Sequence, residues 1–278
     1  MNIKMICIDL DGTLFSNRRK VISENCKNAI QEANEKGVEI VITTGRIYNN
    51  AVQISKKIGV NCPVIAANGA VIMDRGFERE IFCNILGYDN CLDIIKLAKK
   101  HKVTLHFYTK DIIIVSDFLG FFIGSVSAHT NRDKQYGIKV KKYFNYNRFI
   151  GNLKKFSNEI VKCVIYSKNE NKIISFRKEV EEKRELAIFG AGKYSVEISS
   201  NGISKGKAVE ILASDLKISR EEILCIGDNE NDISMIEYAG IGVAMGNAVP
   251  KLKEIANYIT DTNYNDGVSK AIRKFVLD

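Results

Sequence analysis

Two acids one residue apart, Asp9 and Asp11, end an apolar run in the stretch MICIDLDGTLF at residues 5–15. Side chains two apart on an extended chain point the same way, so both carboxylates can face one place. Like charges brought that close raise each other's pKa unless a cation neutralises them. Mg²⁺ suits such a pair, because it takes oxygen ligands and favours phosphate-containing sites. A Ca²⁺ loop is the rival reading of D-x-D-G, but its twelfth position falls on Lys20 where that loop needs Glu. An Asp pair in an ordinary turn is the third reading.

The same pattern returns in CIGDNENDISM, residues 225–235. Here a strand-like run ends in Asp228, and Asp232 follows four residues later, on the first turn of a helix if Asn229 begins one. Asp228 could complete a metal site opened by Asp9. Asp232 could bind metal-bound water or hold a lysine. In TTGR, residues 43–46, a hydroxyl at a strand end precedes Gly45 and a helix, which offers a side-chain donor and free backbone N–H groups to a phosphate oxygen. Thr44, beside Gly45, is the better placed of the two threonines, with Thr43 pointing away. Lys205 in NGISKGKAVEIL opens a helix between glycines. Each piece alone has a plain alternative: a turn, a capping threonine, a solvated lysine. Together they supply carboxylates, a hydroxyl and a lysine on strand-end loops.

The elements that must position these residues alternate at both ends of the chain. Residues 3–8, 38–44 and 64–67 read as buried strands, with helices over 24–36, capped by Ser23 and stopped at Gly37, and over 46–58. This βαβαβ order predicts a parallel sheet covered by helices on both faces. Residues 71–73 and 80–83 read as a hairpin, followed by a helix near 88–101. Strands at 103–109 and 112–115, a strand at 160–166, a helix over 171–184 and a hairpin of LAIFG with YSVEIS predict an α+β module with a mostly antiparallel sheet. From about Ser204 the alternation resumes: a helix over 205–213, a capping box of Ser219 with Glu222, the strand ILCIGD, a helix over 231–238, the strand IGVAM, a helix entered through Pro250 and a terminal helix over 268–275. One α/β domain split by an inserted domain is the simplest arrangement.

Composition narrows the chemistry. The chain has 278 residues, enough for one or two cores, with 45% hydrophobic and 27% charged residues. Its longest apolar stretch, FLGFFIGSV at 118–126, is far below the roughly 20 residues of a spanning helix and reads as core. The N-terminal apolar segment is short and broken by Asp9, unlike a signal peptide. Seven cysteines without a C-x-x-C pair predict reduced thiols and a cytoplasmic location. His101, His106 and His129 have no metal-ligand spacing, so chemistry must rest on carboxylates, hydroxyls and lysine. The net charge of +8 is uneven: residues 84–199 hold 21 basic against 12 acidic side chains, the remainder 20 against 21. A basic middle could attract anionic small molecules, whereas no aromatic-interleaved basic run supports nucleic acid as a partner.

DLDGT, TTGR, SKGKA and GDNENDISM, in that order and at these separations, resemble the haloacid dehalogenase (HAD) superfamily of phosphohydrolases. The long insertion between the second and third motifs is similar to the Cof-type group with its large cap, and AANGA (66–70), IGVAMGNA (241–248) and NDGVSKAI (265–272) also resemble it. The resemblance implies a Rossmann-like α/β core of residues 1–83 and 200–278 and an α+β cap over 84–199. It implies Asp9 as nucleophile and Asp11 as general acid and base. Mg²⁺ would be held by the Asp9 carboxylate, the Asp11 carbonyl and the Asp228 carboxylate. Thr44 and Lys205, with Gly45 and Asn231, would bind phosphoryl oxygens, with Gly12 leaving room for backbone N–H groups. Asp232 would support Lys205 and the metal's waters, and Arg46 and Asn68 would line the leaving-group side. The implied activity is a Mg²⁺-dependent phosphatase of small phosphorylated metabolites, sugar phosphates foremost, acting through an aspartyl phosphate. A sugar phosphomutase and a non-catalytic metabolite-binding protein are the alternatives. The expected partner is a small phosphorylated metabolite, without nucleic acid or membrane, and the expected state is a monomer or homodimer.

Overall fold

The computed structural model describes residues 2–16, 21–116, 139–190 and 193–278. Lys20, His129 and the apolar stretch 118–126 lie outside the described residues. The chain forms two compact units: Met1–Arg46, Ala51–Phe82 and Ser204–Asp278 make the first, and Ile47–Asn50 with Cys83–Ile203 the second.

The first unit is built on an eight-stranded sheet. Its first strands are β1 (Met5–Asp9), β2 (Glu39–Thr43), β3 (Val64–Ala66), β4 (Val71–Met73) and β5 (Glu80–Cys83). The return of the chain adds β12 (Ile223–Gly227), β13 (Ile241–Ala244) and β14 (Tyr258–Ile259), and the order across the sheet is β14-β13-β12-β1-β2-β3-β4-β5. From β14 to β3 all neighbours are parallel, and β4 turns back antiparallel to β3. Every residue of β1 and of β12 is buried, the mark of strands covered on both faces, and it explains why both read as unbroken apolar runs.

The path of the chain locates the ligand crevice. From β1 it runs through α1 (Glu24–Glu35) to β2 and through α2 (Tyr48–Ile58) to β3, one way along the sheet. From β12 it runs through α7 (Ile233–Tyr238) to β13 and α8 (Pro250–Ile255) to β14, the other way. Right-handed crossovers then place the two helix sets on opposite faces. The order reverses between β1 and β12, and the gap beyond their carboxyl ends is where open α/β sheets bind ligands. Both Asp9 and Asp228 stand there.

The second unit carries the remaining strands: β6 (Thr104–Tyr108), β7 (Ile112–Ser116), β8 (Lys139–Tyr143), β9 (Lys162–Tyr166), β10 (Leu186–Gly190) and β11 (Ser195–Ser200), in the order β10-β11-β9-β6-β7-β8. Pairing is antiparallel except between β7 and β8. Alternate residues Leu105, Phe107, Cys163, Ile165, Val196 and Ile198 form one apolar face. Onto it pack α3 (Tyr88–His101), α4 (Tyr146–Phe156) and α5 (Glu170–Glu181), through residues such as Ile94, Phe149 and Phe176.

Several sequence expectations hold to within a residue. The helix 88–101 is α3, the hairpins are β4–β5 and β10–β11, and Ser23 caps α1 by accepting from Cys26 N at 3.2 Å. Others shift. The helix expected from 46 begins at Tyr48, and the Arg46 carbonyl, which a helix starting there would use in its ladder, accepts from Ala67 N at 2.8 Å instead. The helix expected over 231–238 is a 3₁₀ turn, Glu230–Asp232, leading into α7, because the Asp232 side chain turns back to cap it. The terminal helix is α9 (Gly267–Ile272), and the chain then widens into a looser turn at Arg273–Leu277. The strand β8 and the helix α4 had no counterpart in the sequence reading. All seven cysteines are free, six of them buried. Among the described residues no helix is long and apolar enough to cross a membrane.

Candidate active site

The site begins with a lysine that cannot be solvated. Lys205 is the first residue of α6 (Lys205–Leu216), whose start is capped by Ser204 Oγ accepting from Lys207 N at 3.1 Å. Gly206 lies so close to the Ser234 carbonyl of α7 that a Cβ there would overlap it. That close approach draws the helix start inward and leaves Lys205 wholly buried. Its ammonium donates to Asp9 Oδ1 and to Asp232 Oδ1, each at 2.5 Å. Asp232 accepts on its other oxygen from the N–H groups of Asp228 (2.9 Å) and Asn229 (3.0 Å). Both its oxygens are therefore engaged, and it holds the lysine rather than offering a free ligand.

Asp228 completes an acidic cluster. One carboxylate oxygen from each of Asp9, Asp228 and Asp232 lies within 4.8 Å of the others. Thr13 Oγ1 donates to Asp228 Oδ1 at 2.8 Å, a contact that the sequence reading did not foresee. Gly12 stands at φ +94°, and the Asp228 carboxylate fills the space that a Cβ would take. Three carboxylates face a single lysine, and the proton affinities of Asp9, Asp228 and Lys205 show the imbalance. Burial pushes the Asp9 carboxyl well above its usual range; Lys205 opposes this, while Asp232 and Asp228 add to it. Burial and then Asp232 raise Asp228 to about 6. Burial works against the Lys205 charge, but Asp232 and Asp9 outweigh it and hold the ammonium above its ordinary value.

The flanking residues divide into two groups. Asp9 pairs in register with Thr43 across β1 and β2. The Thr43 hydroxyl turns into the core and donates to Met235 Sδ at 3.4 Å, which leaves Thr44 as the hydroxyl at the loop. At the end of β3, Ala67, Asn68 and Gly69 all take positive φ. This turn buries Asn68 beneath Gly45, where a Cβ would come within 2.9 Å of Asn68 Oδ1, and Asn231 Nδ2 donates to the same oxygen at 3.0 Å. Asn68 thus ties the loop after β2 to the turn after β12. Arg46 and Asp11 form the second group. The guanidinium donates to both Asp11 oxygens, at 2.5 Å each, and lies over the Phe15 ring, 5.4 Å from its centroid. A carboxyl group held in this way is an acceptor on both oxygens, not a proton donor.

The cluster therefore joins Asp9, Asp228, Asp232 and Lys205 directly, with Asn68 and Asn231 bound to each other and Asp11 bound to Arg46. Thr13, Asn247 and Asn263 were missed by the sequence reading. Asn247 lay in the IGVAMGNA segment already singled out, but nothing in its immediate surroundings marked its side chain.

The chain is similar to known proteins over its whole length. The profile of the haloacid dehalogenase-like hydrolase family covers residues 6–272. The chain is 32% identical over 277 residues to the 5-amino-6-(5-phospho-D-ribitylamino)uracil phosphatase YcsE of Bacillus subtilis, covering 100% of this chain and 97% of that one. It is similar to a solved haloacid dehalogenase-like hydrolase from B. subtilis, with a TM-score of 0.83 at 28% identity over 98% and 100% of the two chains. It is also similar to the subclass IIB sugar phosphatase BT4131, with a TM-score of 0.80 at 25% identity over 99% and 100%. The chain belongs to the haloacid dehalogenase-like hydrolases, in their Cof-type branch. It is an enzyme of the phosphoric monoester hydrolase class.

Proposed function

We propose that the protein is a Mg²⁺-dependent phosphatase of small phosphorylated metabolites, sugar phosphates foremost, working through an aspartyl phosphate on Asp9. The observation that carries this reading is the buried Lys205, held between Asp9 and Asp232 with Asp228 alongside. The same donor set fits a hard divalent cation: three carboxylates against one lysine leave negative charge that burial makes costly. The Asp9 and Asp228 carboxylates and the Asp11 carbonyl would hold the ion. When bound, Mg²⁺ withdraws charge from the phosphoryl oxygens and favours the ionised form of its carboxylate ligands.

The residues of the chain then act in sequence. The Asp9 carboxylate attacks phosphorus, the ester P–O bond breaks, and the leaving oxygen takes a proton from Asp11. Water gives its proton back to Asp11 as it cleaves the acyl phosphate, which releases inorganic phosphate and restores Asp9. Lys205, Thr44 and the backbone N–H groups beside Gly45 and Gly12 offset charge on the transferring group. Asn231 and Asn68 keep these loops in register. Because Arg46 holds Asp11 as an acceptor, productive binding has to draw the guanidinium off before Asp11 can donate. Catalysis is assigned to residues 1–83 and 200–278, with 84–199 as a cap that selects the leaving group. The names of the relatives, a ribitylaminouracil phosphatase and a sugar phosphatase, support a phosphorylated polyol or sugar as substrate. The test is inorganic phosphate release from a panel of sugar, polyol and cofactor phosphates with and without Mg²⁺. Release that is indifferent to Mg²⁺, or that survives in Asp9→Asn, would sink the reading.

A further inference from the structure

The loop after β13, residues 245–249, touches both acid-bearing segments of the site. On one side it follows β12: Met245 N donates to Gly227 O at 3.0 Å and Val249 N to Asp228 O at 2.9 Å. On the other, Asn247 Nδ2 donates to Gly12 O at 2.8 Å. Chemistry sets the orientation of this amide. Its Oδ1 accepts from Asn263 N at 2.9 Å, a group that can only donate, while a carbonyl can only accept. Asn263 Nδ2 in turn donates to Phe15 O at 2.7 Å. The two asparagines therefore grip the turn that carries Asp11 at two points, and Phe15 N closes that turn onto Leu10 O at 3.0 Å.

Gly12 has no side chain by which the turn could be held, and Asp228 occupies the space where one would lie. The backbone carbonyl is the available handle. In a trans peptide the carbonyl and the following N–H point in opposite directions, so fixing Gly12 O also fixes the Thr13 N–H. The Thr13 hydroxyl meets Asp228 Oδ1 at 2.8 Å from the same residue. One short loop thus sets the main chain of Asp228 and the peptide behind Asp11 against each other.

We propose that Asn247, backed by Asn263, is a positioning residue: through the Gly12 carbonyl it keeps the Asp9–Asp11 turn in register with Asp228. It touches no reacting atom and acts through the peptide it holds. The inference rests on the reading of Asp9, Asp11 and Asp228 given above.

The test uses Asn247→Asp, which keeps the side-chain volume, and Asn247→Ala, which adds no charge; both remove the donor. Each is assayed for phosphate release from p-nitrophenyl phosphate. Each is also titrated with MgCl₂ alone, with the rise in melting temperature as the readout. In both variants kcat falls about 10- to 100-fold, and the Mg²⁺ concentration for half the thermal shift rises by a comparable factor. KM moves by about threefold or less, since Lys205 and Thr44, which would bind phosphoryl oxygens, lie off the loosened turn. Folded variants with kcat and Mg²⁺ midpoint both within about twofold of the parent overturn the proposal. Should neither variant fold, Asn263→Ala loosens only the Phe15 end. A loss of about fivefold or more in kcat, with a raised Mg²⁺ midpoint, then supports the proposal, and parental values overturn it. Asp9→Asn, run in parallel, separates the two failures. If it stays active, the reading of the site is wrong; if it is inactive while the Asn247 variants match the parent, only the positioning role is wrong.

Discussion

Two acid–base contacts share one loop cluster and the same N···O distance of 2.5 Å, yet their surroundings are opposite. The Lys205 ammonium and the Asp232 carboxylate are fully buried, and the Asp9 side chain is 7% exposed. The Asp11 carboxylate, 52% exposed, meets an Arg46 guanidinium that rests on an aromatic ring. In the first setting water cannot replace a lost partner, so removing one group strands a charge and costs about 3–5 kcal/mol. In the second, the Asp11 end is open to water although the Arg46 side chain is only 11% exposed, so a lost contact strands no buried carboxylate and the pair is worth about 1 kcal/mol. Geometry alone would rate the two contacts as equals. Burial makes the first a permanent part of the site and the second a contact that can open during turnover.

The largest test of that contrast is at Asp9. Asp9→Asn removes the proposed nucleophile and one of the buried lysine's two partners, and is expected to lower phosphate release by roughly 10⁴-fold or more. Lys205→Met comes next: it leaves Asp9 and Asp232 facing each other without a cation. Urea unfolding should show a loss of about 3–5 kcal/mol, with activity lost as well. A stability loss under about 1 kcal/mol would mean that the buried pair behaves like a surface pair.

A pH series probes the excess of acid. Asp228 titrates at about 6 when folded, above the ordinary carboxylate value of 3.8. Folding therefore takes up a proton between those values, and the stability this brings is present at low pH and lost as pH rises through about 6. The metal-free protein should lose up to roughly 3 kcal/mol from this group between pH 4 and 7. Mg²⁺ should raise the melting temperature more at pH 7 than at pH 5. An equal shift at both would remove Asp228 from the metal's ligands.

The smallest stability effect belongs to Arg46. Arg46→Met should change unfolding free energy by about 1 kcal/mol or less. It should nevertheless alter turnover of an alkyl phosphate, whose leaving oxygen needs a proton, more than that of p-nitrophenyl phosphate, whose leaving group does not. Equal effects on both substrates would break the link between Arg46 and Asp11.

How much of this could be read from the chain follows from where each signal lies. The buried parallel strands announced themselves because both faces must be apolar, and β1 and β12 consist of little else. Ser23, Ser219 and Pro250 marked helix starts by local chemistry. Strand β8 carried no such mark. Its sequence KVKKY forms an edge strand with largely exposed side chains, so no core imposes an apolar pattern on it. Among the site residues, Asp9, Asp11 and Asp228 stood out by type and position, and Lys205 only beside the other motifs. Thr13, Asn247 and Asn263 did not, because a threonine after glycine and asparagines in loops are ordinary turn residues.

The amino-acid sequence by itself determined that acids would end two buried strands, that a hydroxyl would stand at the end of a third and that a lysine would open a helix, because periodicity and capping act over a few residues. Only the tertiary structure decided who meets whom. Lys205 reaches Asp9 across 196 residues of sequence, Thr13 reaches Asp228 across 215, and Asn247 reaches the Gly12 carbonyl across 235. Those pairings depend on the reversal of strand order between β1 and β12, which brings the two ends of the chain side by side. They also depend on the burial that the surrounding helices impose, which turns one acid–base contact into a fixed clamp and leaves the other free to open.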